Sequence, residues 1–143
     1  MAMYWKQELS VGIQELDDQH REWIYRAGRL VSSIAQGHGR DEVTDLISSL
    51  EACVVEHFAR EEELMASSGC PDIAQHRQAH GAFLRAFSDM KSKLGVSAAT
   101  VSLATAVQHQ VYDWLIGHIN QMDKAAGACL AGAGQEQEWR AAA

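Results

Sequence analysis

His57 and Glu61 stand four residues apart in the stretch His57-Phe58-Ala59-Arg60-Glu61-Glu62. On a helix, that spacing puts both side chains on one face, one turn apart. The rest of that face is apolar, reading Val43, Ile47, Leu50, Val54 and then Leu64. A carboxylate on a buried stripe costs several kcal/mol unless it is paired or holds a cation. His76 and His80 repeat the four-residue spacing, at which two imidazoles can grip one ion. His20 and His118 fall on apolar stripes of their own. Two histidines do not share this pattern. His38 sits in the glycine-flanked stretch Gly37-His38-Gly39, and His109 is nine residues before His118. At about 100° per residue that spacing turns it to the opposite, solvated face.

One histidine on an apolar face is ordinarily a hydrogen-bonded core residue. Five such histidines need partners that this chain's few buried polar side chains do not supply. Five imidazoles with Glu61 and a second carboxylate exceed the four ligands of a tetrahedral zinc site. They suit two metal ions bridged by carboxylates, and mixed imidazole and carboxylate ligands suit iron among other metals. The Glu-x-x-His motif of ferritin-like di-iron bundles does not occur. A histidine-rich pair with few carboxylates carries little negative charge to stabilise high oxidation states. That points to binding oxygen or a small anion more than to hydroxylating a substrate.

The elements that must position these residues follow from periodicity. After an irregular N-terminal arm, with Trp5 expected to anchor it, a seam runs Leu16, His20, Trp23, Ala27, Leu30, Ile34 from about Asp17. Gln36 to Arg40 breaks it, and Asp41 can cap a second helix that runs to about Met65. Pro71 fits the first turn of a third helix, with the seam Ile73, His76, His80, Phe83, Phe87, Met90, Leu94. Gly95 ends it, and Ser97 can cap a fourth helix, apolar at Val101, Ala104, Val107, Val111, Trp114, Leu115 and His118. The expected fold is all-α, an up-down-up-down four-helix bundle. Residues 1–124 form the domain, and 125–143, rich in alanine and glycine, form a weakly helical or mobile tail.

The bulk properties narrow the function classes. A chain of 143 residues suits one domain. The net charge of -7 argues against nucleic acid or an anionic membrane surface as partner. No apolar run is long enough to span a bilayer, and the N-terminus has no signal-peptide pattern, so the expected location is cytoplasmic. Cys53, Cys70 and Cys129 are odd in number and widely spaced, which fits reduced thiols better than a disulfide framework.

Taken together, Trp5…Val11-Gly12-Ile13…Leu16-Asp17-Asp18-Gln19-His20, His57-Phe58-Ala59-Arg60-Glu61-Glu62…Met65, Pro71…His76-Arg77-Gln78-Ala79-His80…Phe83 and Trp114-Leu115-Ile116-Gly117-His118-Ile119…Asp123 closely resemble the hemerythrins, in particular the bacterial ones. The likeness covers roughly residues 3 to 124. It implies reversible O2 binding at a non-haem di-iron centre in a four-helix bundle, with no catalytic residue. The implied cofactor is two iron ions (Fe2+/Fe3+) with an oxo or hydroxo bridge. His76, His80 and His118 would hold one ion. His20 and His57 would hold the other, which keeps an open position for O2, and Glu61 and Asp123 would bridge the pair. Phe58, Trp114, Leu115 and Ile119, with Trp23, would complete the O2 pocket.

Asp123 is five residues after His118, so the helix should end or loosen between them. Trp23 stands where the family usually has an aliphatic residue, Ile24 where an aromatic is common, and Cys70 where a tyrosine often precedes the proline. The implied role is oxygen storage, transport or supply, with an oxygen-using enzyme as the partner. The alternatives are an O2 or redox sensor acting through a separate signalling partner, and a di-iron peroxide or nitric-oxide reductase.

Overall fold

The computed structural model describes residues 3–94 and 101–142, with side chains over 3–93 and 103–134. Three long helices come first: α1 over Gln14–Ala35, α2 over Arg40–Ser67 and α3 over Ile73–Leu94. A fourth rod follows in segments: α4 Val101–Val107, a π-helical stretch Gln108–Asp113, α5 Trp114–His118, a second π-helical stretch Ile119–Asp123, and α6 Lys124–Ala142. There is no strand among the described residues. The four rods form the expected helical bundle, and short turns join α1 to α2 and α2 to α3.

Burial follows the seams. α1 buries Leu16, His20, Trp23, Ala27 and Leu30, and α2 buries Val43, Ile47, Leu50, Val54, His57, Glu61 and Met65. α3 contributes His76, His80, Phe83, Phe87 and Met90, and the fourth rod Val107, Val111, Leu115, His118 and Ile119. The apolar half of each stripe makes the core, and the polar members meet in its middle. Both described interhelical turns close the same way. Gly37 (φ 74°) and Gly69 (φ 66°) take the left-handed conformation that ends a helix. His38 N–H then reaches back to the Ser33 carbonyl, and Cys70 N–H to that of Met65.

Several local expectations change. α1 begins at Gln14, before Asp17, because the Asp17 side chain is occupied with the arm. Its carboxylate accepts hydrogen bonds from Val11 N–H (2.9 Å) and the Ser10 hydroxyl (2.5 Å). Asp41 does not cap α2. It lies in the first turn, and Gly39 takes the cap position without a side-chain bond. Pro71 lies in the turn before α3. The Gly95 stop and the Ser97 cap lie outside the described residues. Trp5 is half-buried against the core, with the Arg21 guanidinium 4.9 Å from its ring centroid.

Two larger differences concern the C-terminal part. The stretch after 124, expected to be weakly helical or mobile, is helical: α6 continues the rod to Ala142 and buries Ala126 and Leu130. Gly127 packs so closely on the Val11 backbone that a side chain there would overlap its carbonyl. The cysteines also differ from three reduced thiols. Cys70 and Cys129 form a disulfide, and Cys53 alone is free. The α2–α3 turn and α6 lie side by side, with the two Cα atoms 6.1 Å apart, a separation at which cysteines can be bridged.

Candidate metal centre

Each rod delivers part of one polar cluster: His20 from α1, His57 and Glu61 from α2, His76 and His80 from α3, and His118 and Asp123 from the fourth rod. All seven are buried, and Glu61, Asp123 and His20 are fully so. Their ligand atoms form two overlapping groups, one of Glu61, His76, His80, His118 and Asp123, the other of His20, His57, Glu61 and Asp123. The carboxylates are shared in a divided way. Glu61 turns Oε1 toward His76 and His80 (3.3 Å) and Oε2 toward His57 (3.3 Å). Asp123 turns Oδ1 toward His76 (3.0 Å) and His118 (2.9 Å) and Oδ2 toward His20 (3.1 Å).

The arrangement fits cations better than hydrogen bonds. None of the four carboxylate oxygens has a hydrogen-bond partner, although all are buried. Such groups each cost about 1–3 kcal/mol if left unsatisfied. The Nε2 atoms of His20 and His57 are 3.1 Å apart, and those of His76 and His118 are 3.3 Å apart. Donors each ~2.1 Å from a common ion, at right angles, stand about 3.0 Å from one another. Two of the outer nitrogens are held as ligands require, whereas His20 Nδ1 is buried without a hydrogen-bond partner. His57 Nδ1 faces Gln19 Oε1 at 2.7 Å, and His80 Nδ1 faces Glu62 Oε2 at 3.1 Å. An Nδ1–H that donates outward leaves the Nε2 lone pair facing the centre.

The electrostatics agree. Burial pushes the Glu61 carboxyl up, but contacts with His57, His76 and His80 outweigh it and hold it far below the carboxylate range. Asp123 is likewise held low, burial being overcome by His118, His20 and His76. Burial pushes His57 down. Burial also opposes charge on His76, but Asp123 and Glu61 raise it to about 9. Two buried anions thus draw a proton to an imidazole where a cation would serve better.

Asp123 reaches the cluster because the helix loosens between it and His118, as expected. Ile119–Asp123 is π-helical, so its turn holds an extra residue and five positions come close to one revolution. His38 and His109 stay outside and exposed, His38 in the α1–α2 turn paired with Glu42 of α2, and His109 paired with Asp113 of its own rod. The aromatic residues gather beside the cluster. Phe58 stacks on His80 (centroids 3.7 Å) and Trp114 on His118 (4.5 Å), so both lie against the three-histidine group. Trp23 lies edge-on to His57 at 6.1 Å and stacks on Trp114 at 6.2 Å. Leu115 and Ile119 are fully buried. Gln19 and Glu62 had no assigned role from sequence. Their one signal is that each adjoins a cluster residue, about 100° around the helix and facing a neighbouring rod.

A buried cluster of five imidazoles and two shared carboxylates inside a helical bundle defines a metal-binding protein. Residues 11–130 match the family described as the hemerythrin HHE cation binding domain, and the chain belongs to that family. It is 32% identical over 123 residues to a bacteriohemerythrin of Methylococcus capsulatus, covering 86% of this chain and 92% of that one. A myohemerythrin of Theromyzon tessulatum is 25% identical, with 83% and 86% covered. The crystal structure of a wild-type hemerythrin superposes with a TM-score of 0.79 at 29% identity, covering 91% of this chain and 98% of that one. As a hemerythrin, the chain is related to oxygen-binding non-haem iron proteins. No described helix is long and apolar enough to cross a membrane.

Proposed function

We propose that this chain binds O2 reversibly at a carboxylate-bridged pair of iron ions, and acts as a store, carrier or local supply of oxygen in the cytoplasm. The observation that carries the reading is the divided use of Glu61 and Asp123, each turning one oxygen to each histidine group. Bound there, a ferrous pair supplies the reversible two-electron chemistry that O2 binding requires. His76, His80 and His118 would hold one ion. His20 and His57 would hold the other with one imidazole fewer, which would leave it the position for O2. Gln19 and Glu62 fix the His57 and His80 rings by accepting from Nδ1–H. Trp23, Phe58, Trp114, Leu115 and Ile119 exclude water, and so slow the proton and anion entry that would end the bound state. No residue is assigned a catalytic role.

The test is metal analysis with visible absorption under anaerobic reduction, then air, then argon. The expected result is two irons per chain and an absorption change that reverses. One metal per chain, zinc alone after expression with ample iron, or irreversible oxidation on first contact with air would overturn it.

A further inference from the structure

The disulfide joins two segments that both lead into the metal centre. Cys70 lies six residues before His76, and Cys129 six residues after Asp123. His76 and Asp123 meet at 3.0 Å. Between the segments is a cavity of about 90 Å³, lined among others by Cys70, Cys129, Asp72, Gln75 and His76, with room for several waters. It therefore touches both the disulfide and a residue of the centre. Besides the bridge, this part of α6 is held by Gly127 against the Val11 backbone and by a small apolar contact. Its apolar burial is Ala126 and Leu130, and Ala131, Gly132 and Gly134 are exposed.

We propose that Cys70–Cys129 is a thiol–disulfide switch that governs access to the His76–Asp123 end of the metal centre, closed when oxidised and open when reduced. The access claim rests on the proposed metal site, whereas the movement of α6 does not. The reductant is a protein dithiol. Its thiolate attacks Cys129 Sγ, the half-buried sulfur, because Cys70 is only 4% exposed. The sulfur–sulfur bond breaks and Cys70 leaves as a thiolate that takes up a proton. The dithiol's second thiol then displaces Cys129, ending as a disulfide on the donor and two thiols here. The free Cys53 does not intervene. Burial pushes its thiol up to about 11, so it is protonated at neutral pH. In a cytoplasm, where disulfides are mostly transient, such a bridge serves as a switch more than a staple.

The test uses the full chain. Hydrogen exchange over 124–134 is followed in metal-free protein, and iron extraction by a chelator in loaded protein, each with and without a phosphine reductant. Reduction should speed both by roughly tenfold or more. Cys129→Ser should be fast in both without reductant, and Cys53→Ser should follow wild type. Three alkylatable thiols in air-oxidised protein, or equal exchange rates in the bridged and reduced chain, would overturn the switch. Faster exchange with unchanged iron extraction would overturn the access claim. A chain that takes up no iron fails the proposed function, while its exchange rates still decide whether α6 moves.

Discussion

His118 and Asp123 are five residues apart, yet His118 Nε2 lies 2.9 Å from Asp123 Oδ1. Only the π-helical turn over Ile119–Asp123 makes this geometry available. A π turn in an otherwise α-helical rod is equivalent to one inserted residue. Deleting the exposed Asn120 should therefore heal the turn to α-helix and leave the two residues four apart, still on one face. The expected outcome is a chain that keeps its full metal content. Inserting one alanine at the same place should swing Asp123 away by about 100° and cut the metal bound. Metal analysis of both variants checks this. Loss in the deletion with retention in the insertion would reverse the geometric reading.

Metal-free and metal-loaded protein should differ in their response to alkali. Without metal, burial opposes a proton on His76, but Asp123 and Glu61 raise it to about 9, against about 6.5 for an unfolded histidine. A raised pKa contributes stability that is complete below about pH 6.5 and is lost as the pH rises through about 9. The melting temperature of metal-free protein should fall over that interval. In loaded protein His76 Nε2 carries no proton, so the decline should be absent. On the acid side Glu61 and Asp123 are held low and His57 is lowered by burial. All three make stability fall with pH, His57 from about pH 6.5 and the carboxylates from about pH 4. Thermal melts of the two forms across pH provide the check. Parallel alkaline declines would mean that His76 is not displaced from its proton by metal.

The bundle was legible because its seams repeat at helical spacing. His20, Trp23, Ala27 and Leu30 are buried as their period requires, and the same rule sent His109 to the solvent face. The meeting of His57, Glu61, His76 and His80 was legible for the same reason. Asp123 was not, since five residues break the α period, and only its resemblance to the family marked it. Gln19 and Glu62 were hidden because their contacts cross to other helices. The Cys70–Cys129 bridge spans 59 residues of chain, and no local pattern reports that pairing. The course of α6 was obscured by glycines that lower helix propensity, one of which is required by a tertiary contact.

Trp23 is fully buried, and its Nε1 has no hydrogen-bond partner. Its ring lies against His57 and Phe58 and stacks on Trp114, so it narrows the space beside the two-histidine group. Trp23→Leu should cost about 2–4 kcal/mol of stability through lost packing while both irons are retained. Azide should then bind the ferric form faster, and oxygenated protein should autoxidise faster. Stopped-flow mixing with azide measures the first directly. Unchanged rates with iron retained would leave Trp23 as a packing residue only.

Gly127 and Gly132 sit on the same helix and should respond oppositely to a methyl group. In a helix interior, alanine is favoured over glycine by about 1 kcal/mol. At Gly132 a Cβ would meet nothing, so Gly132→Ala should raise the melting temperature. At Gly127 the Cβ would overlap the Val11 carbonyl. That carbonyl cannot easily yield, because Val11 N–H is held by Asp17 at 2.9 Å. Relief must come from shifting α6 or the N-terminal arm, and overpacking of this kind costs about 1–3 kcal/mol, more than the propensity gain. Gly127→Ala should therefore lower the melting temperature. Asp17 is three residues before His20, and Gly127 is four after Asp123, so a shift of either segment should also weaken metal retention. Melts of both variants, with and without metal, decide the matter. A stabilised Gly127→Ala chain would show that α6 does not pack on the arm.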